Sequence, residues 1–127
     1  MVVADTNVIV TLHLPTDFSN LALKLLRQDR AWAAPALWRS EMRNVLVRYV
    51  RVAGLAINKA LEAQARAEAL VHEYMVPSSD VLELAVSSGC STYDCEFVVL
   101  ARNLAIKLVT MDRKVLDAFP DLAVPLS

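Results

Sequence analysis

Four carboxylates stand where ordinary surface acids do not: Asp5, Glu41, Asp94 and Asp112. Asp5 interrupts the apolar run MVVADTNVIV. Glu41 borders a helical stripe of Met42, Val45 and Tyr49, Asp94 opens a segment leading through Phe97, Val98 and Ala101, and Asp112 follows the apolar LVT. Each has a plain structural explanation. Asp5 suits an Asx turn at a strand end, and Glu41 an ion pair with Arg48. Asp94 suits a first helical turn, where the dipole favours an acid by about 0.3–1 kcal/mol. Asp112 suits an N-cap. Most of the 14 acidic residues need nothing more: Glu62, Glu68 and Glu73 fall on or beside a polar helix face, and Asp17 and Asp80 suit helix starts.

As a set, the four acids point to chemistry. Carboxylates gathered within a few ångström repel, and some take up protons unless a cation joins them. His13 and His72 are the only histidines, and Cys90 and Cys95 have neither CxxC nor zinc spacing. An all-oxygen acidic site selects a hard ion, Mg²⁺ or Mn²⁺. Such an ion activates water and stabilises a leaving oxygen, which is phosphodiester chemistry. Thr6, Asn7 and Thr110 are placed to orient the acids through neutral hydrogen bonds. Arg39, Arg43, Arg48 and Arg51 share one helix; phosphate contacts are one role for them, and a solvated face is the plainer one.

The elements must bring these residues together. MVVAD is a short Val-rich run, the pattern of a strand buried on both faces. Pro15, Thr16 and Asp17 offer a start for a helix to about residue 30, and 31–35 is a second strand. Residues 38–53 form a helix stopped by Gly54, and 58–72 another. Strand 73–77 follows, then helix 79–88 ended by Gly89. Thr92 caps a helix over 93–104. Strand 105–110, helix 112–119 and a weak edge strand at 123–126 complete the chain. Alternating strands and helices make an α/β domain with a mainly parallel sheet, whose sites gather beyond the carboxyl ends of its strands. Asp5 and Asp112 both fall there.

Composition agrees with one domain over residues 1–127: the length suits a single core, and 56% of residues are hydrophobic. A net charge of −1 argues against binding long nucleic acid by bulk charge. No segment reads as a signal peptide or a membrane span, so a cytoplasmic location is expected.

VVADTNVIV, the glutamate of LWRSEMRNVL, STYDCEFVVLA and KLVTMDRKVL together resemble the PIN-domain nucleases, and more narrowly the VapC-type toxin ribonucleases. The resemblance spans essentially the whole chain, in order. It matches the family's four acids to Asp5, Glu41, Asp94 and Asp112, and its small polar residues to Thr6, Asn7 and Thr110. It implies a three-layer α/β/α sandwich, dependence on Mg²⁺ or Mn²⁺, hydrolysis of RNA, a homodimer and a cognate antitoxin. The alternatives are a PIN nuclease of RNA processing outside any toxin pair and a degenerate PIN-fold binding module. The retention of all four acids favours catalysis over the latter. A phosphatase of the haloacid dehalogenase type needs a second aspartate where this chain has Asn7, and a receiver domain needs an aspartate that EYMVPSS lacks.

Overall fold

The computed structural model describes residues 1–127 as alternating strands and helices. In chain order these are β1 (Val2–Ala4), α1 (Thr6–His13), α2 (Ser19–Gln28), β2 (Trp32–Pro35), α3 (Leu37–Ala53), α4 (Ile57–Leu70) and β3 (His72–Tyr74). Then come α5 (Ser78–Ser88), α6 (Thr92–Leu104), β4 (Leu108–Thr110), α7 (Arg113–Ala118) and β5 (Ala123–Pro125). The sheet has five strands in the order β3-β2-β1-β4-β5, and every pairing is parallel.

That order decides where a site can form. The chain steps outward from β1 to β2 and β3, then crosses back to lay β4 on the other side of β1. The crevice at such a reversal, beyond the carboxyl ends of the strands, is where α/β sheets bind ligands. Here it lies between β1 and β4, paired through Val3 with Leu108 and Ala4 with Val109. Asp5 follows one strand and Asp112 stands two residues past the other.

Two groups of helices cover the sheet, as expected for the sandwich. α1 packs with α2, α3 and α4, while α6 packs with α5 and against β1, β2 and β4. The inner strands are apolar because both faces are covered: Val3, Ala4, Trp32, Ala33, Ala34 and Leu108 are fully buried.

Helix α1 is the element that the sequence reading did not assign. Thr6, Val8, Ile9, Val10 and Thr11 are buried in it. β-Branched residues are mediocre helix formers, at up to about 0.7 kcal/mol each against Ala, whereas burying a Val or Ile side chain is worth about 1.5–3 kcal/mol. Packing therefore outweighs propensity, and Asp5 starts the helix by accepting the Thr6 amide.

Other boundaries shift for local reasons. Strand β4 covers only 108–110 rather than 105–110, since Ala105 takes a left-handed conformation (φ 56°) that ends α6, and Ile106 still donates to the Ala101 carbonyl. Ser91, not Thr92, caps α6: its hydroxyl accepts the Asp94 amide. Along α3 the fully covered stripe is Trp38, Met42 and Leu46, with Val45 and Tyr49 half-buried at its border.

Candidate active site

Each acid of the predicted set is presented by a different element. Asp5 is the N-cap of α1, in extended backbone continuing β1. Its Oδ1 accepts the Thr6 amide at 2.8 Å, and its Oδ2 accepts the Thr110 hydroxyl at 2.7 Å. Thr110 is fully buried at the end of β4, and its Oγ1 also accepts the Asp112 amide at 3.0 Å. One hydroxyl thus ties the first acid to the backbone of the fourth. Asp112 in turn caps α7, accepting the Lys114 amide at 2.9 Å.

Glu41 lies in the second turn of α3. Its Oε1 accepts a hydrogen bond from the Thr6 hydroxyl at 2.6 Å. The ion pair with Arg48 considered from sequence does not form; the chain's ion pairs engage Asp29, Glu62, Glu68 and Glu73. Asp94 sits in the first turn of α6, its amide held by Ser91. Of the three neutral residues, Thr6 and Thr110 hydrogen-bond carboxylates. Asn7 instead accepts the Met111 amide at 3.2 Å, fixing the backbone just ahead of Asp112.

The electrostatics join the four acids. Burial pushes the Asp5 carboxyl above its ordinary value, and the charges of Asp94 and Asp112 push it further, against hydrogen bonds from Thr110 and Thr6. Glu41 is raised by burial and by Asp5, Asp94 and Glu96, with the Thr6 bond opposing. Asp94 is raised by burial and by Asp112, with Ser91 and the Lys114 charge opposing. None of the four acids is in an ion pair, and only the more distant Lys114 charge, acting on Asp94, offsets their mutual repulsion. As the side chains stand, no three acids, histidines or cysteines close around a single ion.

Glu96, two residues beyond Asp94, did not enter the predicted set. It is half-buried, and burial raises its carboxyl above the ordinary value. The visible signal was a fifth acid within YDCEF, in an otherwise apolar helix.

The arginines of α3 are not one free face. Arg39 bridges Glu68 at 2.7 Å and Glu73, which also accepts the Trp38 indole N–H at 2.9 Å, tying α3 to α4 and β3.

A crevice at the β1–β4 reversal, flanked by carboxylates from four elements, is matched by a family comparison. The PIN-domain family model covers residues 2–122. The chain belongs to the PIN-domain family. The resemblance to that family read from the sequence is borne out over nearly the whole chain. A PIN relative, Ribonuclease VapC3 of Pyrobaculum aerophilum, is 31% identical over 128 residues, spanning 97% of this chain and 98% of that protein. The crystal structure of PAE2754 from Pyrobaculum aerophilum superposes with a TM-score of 0.77 at 20% identity, over 98% of this chain and 88% of that one, which speaks for the fold. No helix of this PIN domain is long and apolar enough to cross a membrane.

Proposed function

We propose that this PIN protein is a divalent-metal-dependent endoribonuclease, the toxin of a type II toxin–antitoxin pair. The observation carrying the proposal is that Asp5, Glu41, Asp94 and Asp112 feel one another's charge and none is ion-paired, with Thr6 and Thr110 bridging Asp5 to Glu41 and to Asp112. Relatedness to a protein named as a VapC ribonuclease supports the reaction class.

The donor set fits Mg²⁺ or Mn²⁺, being all oxygen and acidic. Mg²⁺ keeps several waters and takes only one or two carboxylates directly, so the four acids need not close around it. Asp5, Asp94 and Asp112 would hold it, directly or through water, with Glu41 as a further ligand or as the acceptor of the proton from the attacking water. When bound, the ion lowers the pKa of water and stabilises the leaving oxygen. Thr110 fixes the Asp5 carboxylate, Thr6 fixes Glu41, and Asn7 fixes the approach to Asp112.

An amphipathic groove of about 620 Å³ runs between α3 and α4, with Leu46, Val50, Ile57 and Leu61 on its walls and Arg43 and Arg51 along it. We assign it to the antitoxin, as a helical segment bearing acids beside its apolar face. In the proposal the protein acts in the cytoplasm as a homodimer.

The test is cleavage of single-stranded RNA by purified protein with Mg²⁺ or Mn²⁺, with chelator, and as Asp5→Asn. Internal cuts that need the metal and Asp5 are expected. Equal cleavage in chelator, or by the variant, overturns the proposal.

A further inference from the structure

At the starts of the helices that carry Glu41 and Asp94 lies a cavity of about 440 Å³ that the proposed reaction does not use. Ala36, at the start of α3, and Thr92, at the start of α6, both line it. These are the helices that carry Glu41 and Asp94, so the cavity adjoins the carboxylate crevice. Its walls are unlike that crevice. Tyr74 and Met75 give it an aromatic and a thioether surface, Leu82 an apolar side, and Ser78 and Thr92 contribute hydroxyls. Glu96 is its single charged group. That carboxylate takes part in no hydrogen bond or ion pair within the chain, although it is half-buried. Its volume falls within the range of about 300–1,000 Å³ typical of small-ligand sites.

We infer that this cavity is a nucleobase subsite, in which Glu96 reads a guanine next to the scissile phosphate. The inference rests on the ribonuclease reading and deepens it. A single-stranded RNA held at the carboxylates must lay its neighbouring bases on the surface beside them. Unstacked bases are bound by aromatic stacking and by hydrogen bonds on their Watson–Crick edges. Tyr74 supplies the stacking ring, and Met75 a thioether contact beside it. An ionised carboxylate only accepts hydrogen bonds. Guanine presents two adjacent donors on that edge, N1–H and the N2 amine, and both reach one carboxylate. Adenine and cytosine present one amine beside an acceptor nitrogen, which faces the carboxylate unfavourably. Uracil has a lone N–H between two carbonyls. Charge and geometry together select guanine.

Binding separates this inference from the cleavage proposal. Hexaribonucleotides of uridine carrying one guanosine, inosine or adenosine are titrated into Asp5→Asn protein with fluorescence anisotropy as readout. The guanosine oligomer should bind at least about tenfold tighter than the inosine one, which lacks the N2 amine, the size expected for a hydrogen bond to a charged group. In Asp5→Asn/Glu96→Ala that preference should vanish, with both oligomers bound alike. Tyr74→Ala should weaken all three oligomers together. Equal binding of guanosine, inosine and adenosine before Glu96 is altered overturns the inference. So does a change confined to the sedimentation behaviour of the Glu96 and Leu82→Ser variants, which would make the cavity a contact between copies of the chain. Absence of metal-dependent cleavage by the unaltered protein, with the base preference intact, removes the ribonuclease proposal alone.

Discussion

The Thr6 hydroxyl donates a 2.6 Å hydrogen bond to Glu41 Oε1 across 35 residues of sequence, joining the first turn of α1 to the second turn of α3. Thr6 is buried, so the bond is shielded from competing water. Its neighbour Asp5 accepts the Thr6 amide. One threonine thus holds two carboxylates, through its backbone and its side chain.

Thr6→Val removes the side-chain half of that arrangement with little change in shape. Glu41 is then free to turn. Removal of a hydrogen bond that orients a ligand or base in a metal site costs about 10–100-fold. RNA cleavage should fall by that order, chiefly in kcat, and Thr6→Ser should recover most of it. A Val variant as active as Ser would show that Glu41 needs no such support.

Thr110→Val strikes the other bridge. The hydroxyl serves Asp5 Oδ2 and the Asp112 amide at once. Its loss leaves a buried carboxylate oxygen and an amide with one partner fewer, a cost of about 1–3 kcal/mol. Urea denaturation should read that loss, and calorimetric Mg²⁺ titration a weaker site. Thr110→Ser keeps the hydroxyl and should bind Mg²⁺ as the parent does. Equal Mg²⁺ affinity in the Val variant would contradict the bridging role.

The acids also predict a pH dependence. In the folded chain Asp5 holds its proton to a higher pH than its ordinary 3.8, through burial and the charges of Asp94 and Asp112. Across that window the folded state binds more protons than the unfolded one, so stability falls as pH rises. The penalty is absent below the ordinary value and complete above the raised one. Asp94 acts in the same sense from 3.8, and Glu41 from 4.5. In chelator, Asp5→Asn should therefore melt higher than the parent at neutral pH, with the gap closing as pH falls toward about 4. A gap that does not change with pH would show that repulsion among these acids is not what the substitution relieves.

Added Mg²⁺ should reverse the neutral-pH penalty by binding the folded state alone. At a concentration one hundred times its Kd, the gain is about 2.7 kcal/mol. Differential scanning fluorimetry should show the rise in the parent and a smaller one in Asp112→Asn. The same increment in both would remove Asp112 from the ion's surroundings.

The sequence made the strands legible because both faces of the inner ones are buried and so carry unbroken apolar residues. Gly54 and Gly89 marked helix ends correctly: both cap with φ 74°. The boundaries of β4 and α6 shift for local reasons, whereas the misses within the site come from contact across long sequence separations. Val8, Ile9 and Val10 have the composition of a strand, and packing of α1 with α2, α3 and α4 makes them helical. Thr6 was assigned to orient the acids, but its partner, 35 residues away, is not written in the local pattern. Asn7 was expected to serve a carboxylate and serves the Met111 amide, 104 residues on. Glu96 carries only a weak signal in the sequence, because a single acid in a helix has a solvated face as its ordinary home. The cavity beside it is assembled from β3, α5 and α6 together.

The end of β3 divides the four acids evenly. Asp5 and Glu41 precede it, while Asp94, on the crossover helix α6, and Asp112, past β4, follow. A polypeptide still being synthesised therefore has only half of the set until α6 and β4 have emerged, and Asp5 gains its Thr110 partner only when β4 docks beside β1. For a protein proposed to cut RNA, the unfinished chain lacks the assembled acid set until that late docking. A polypeptide severed near Gly89 would likewise give two inert pieces, and the return of cleavage on mixing them would report their reassembly.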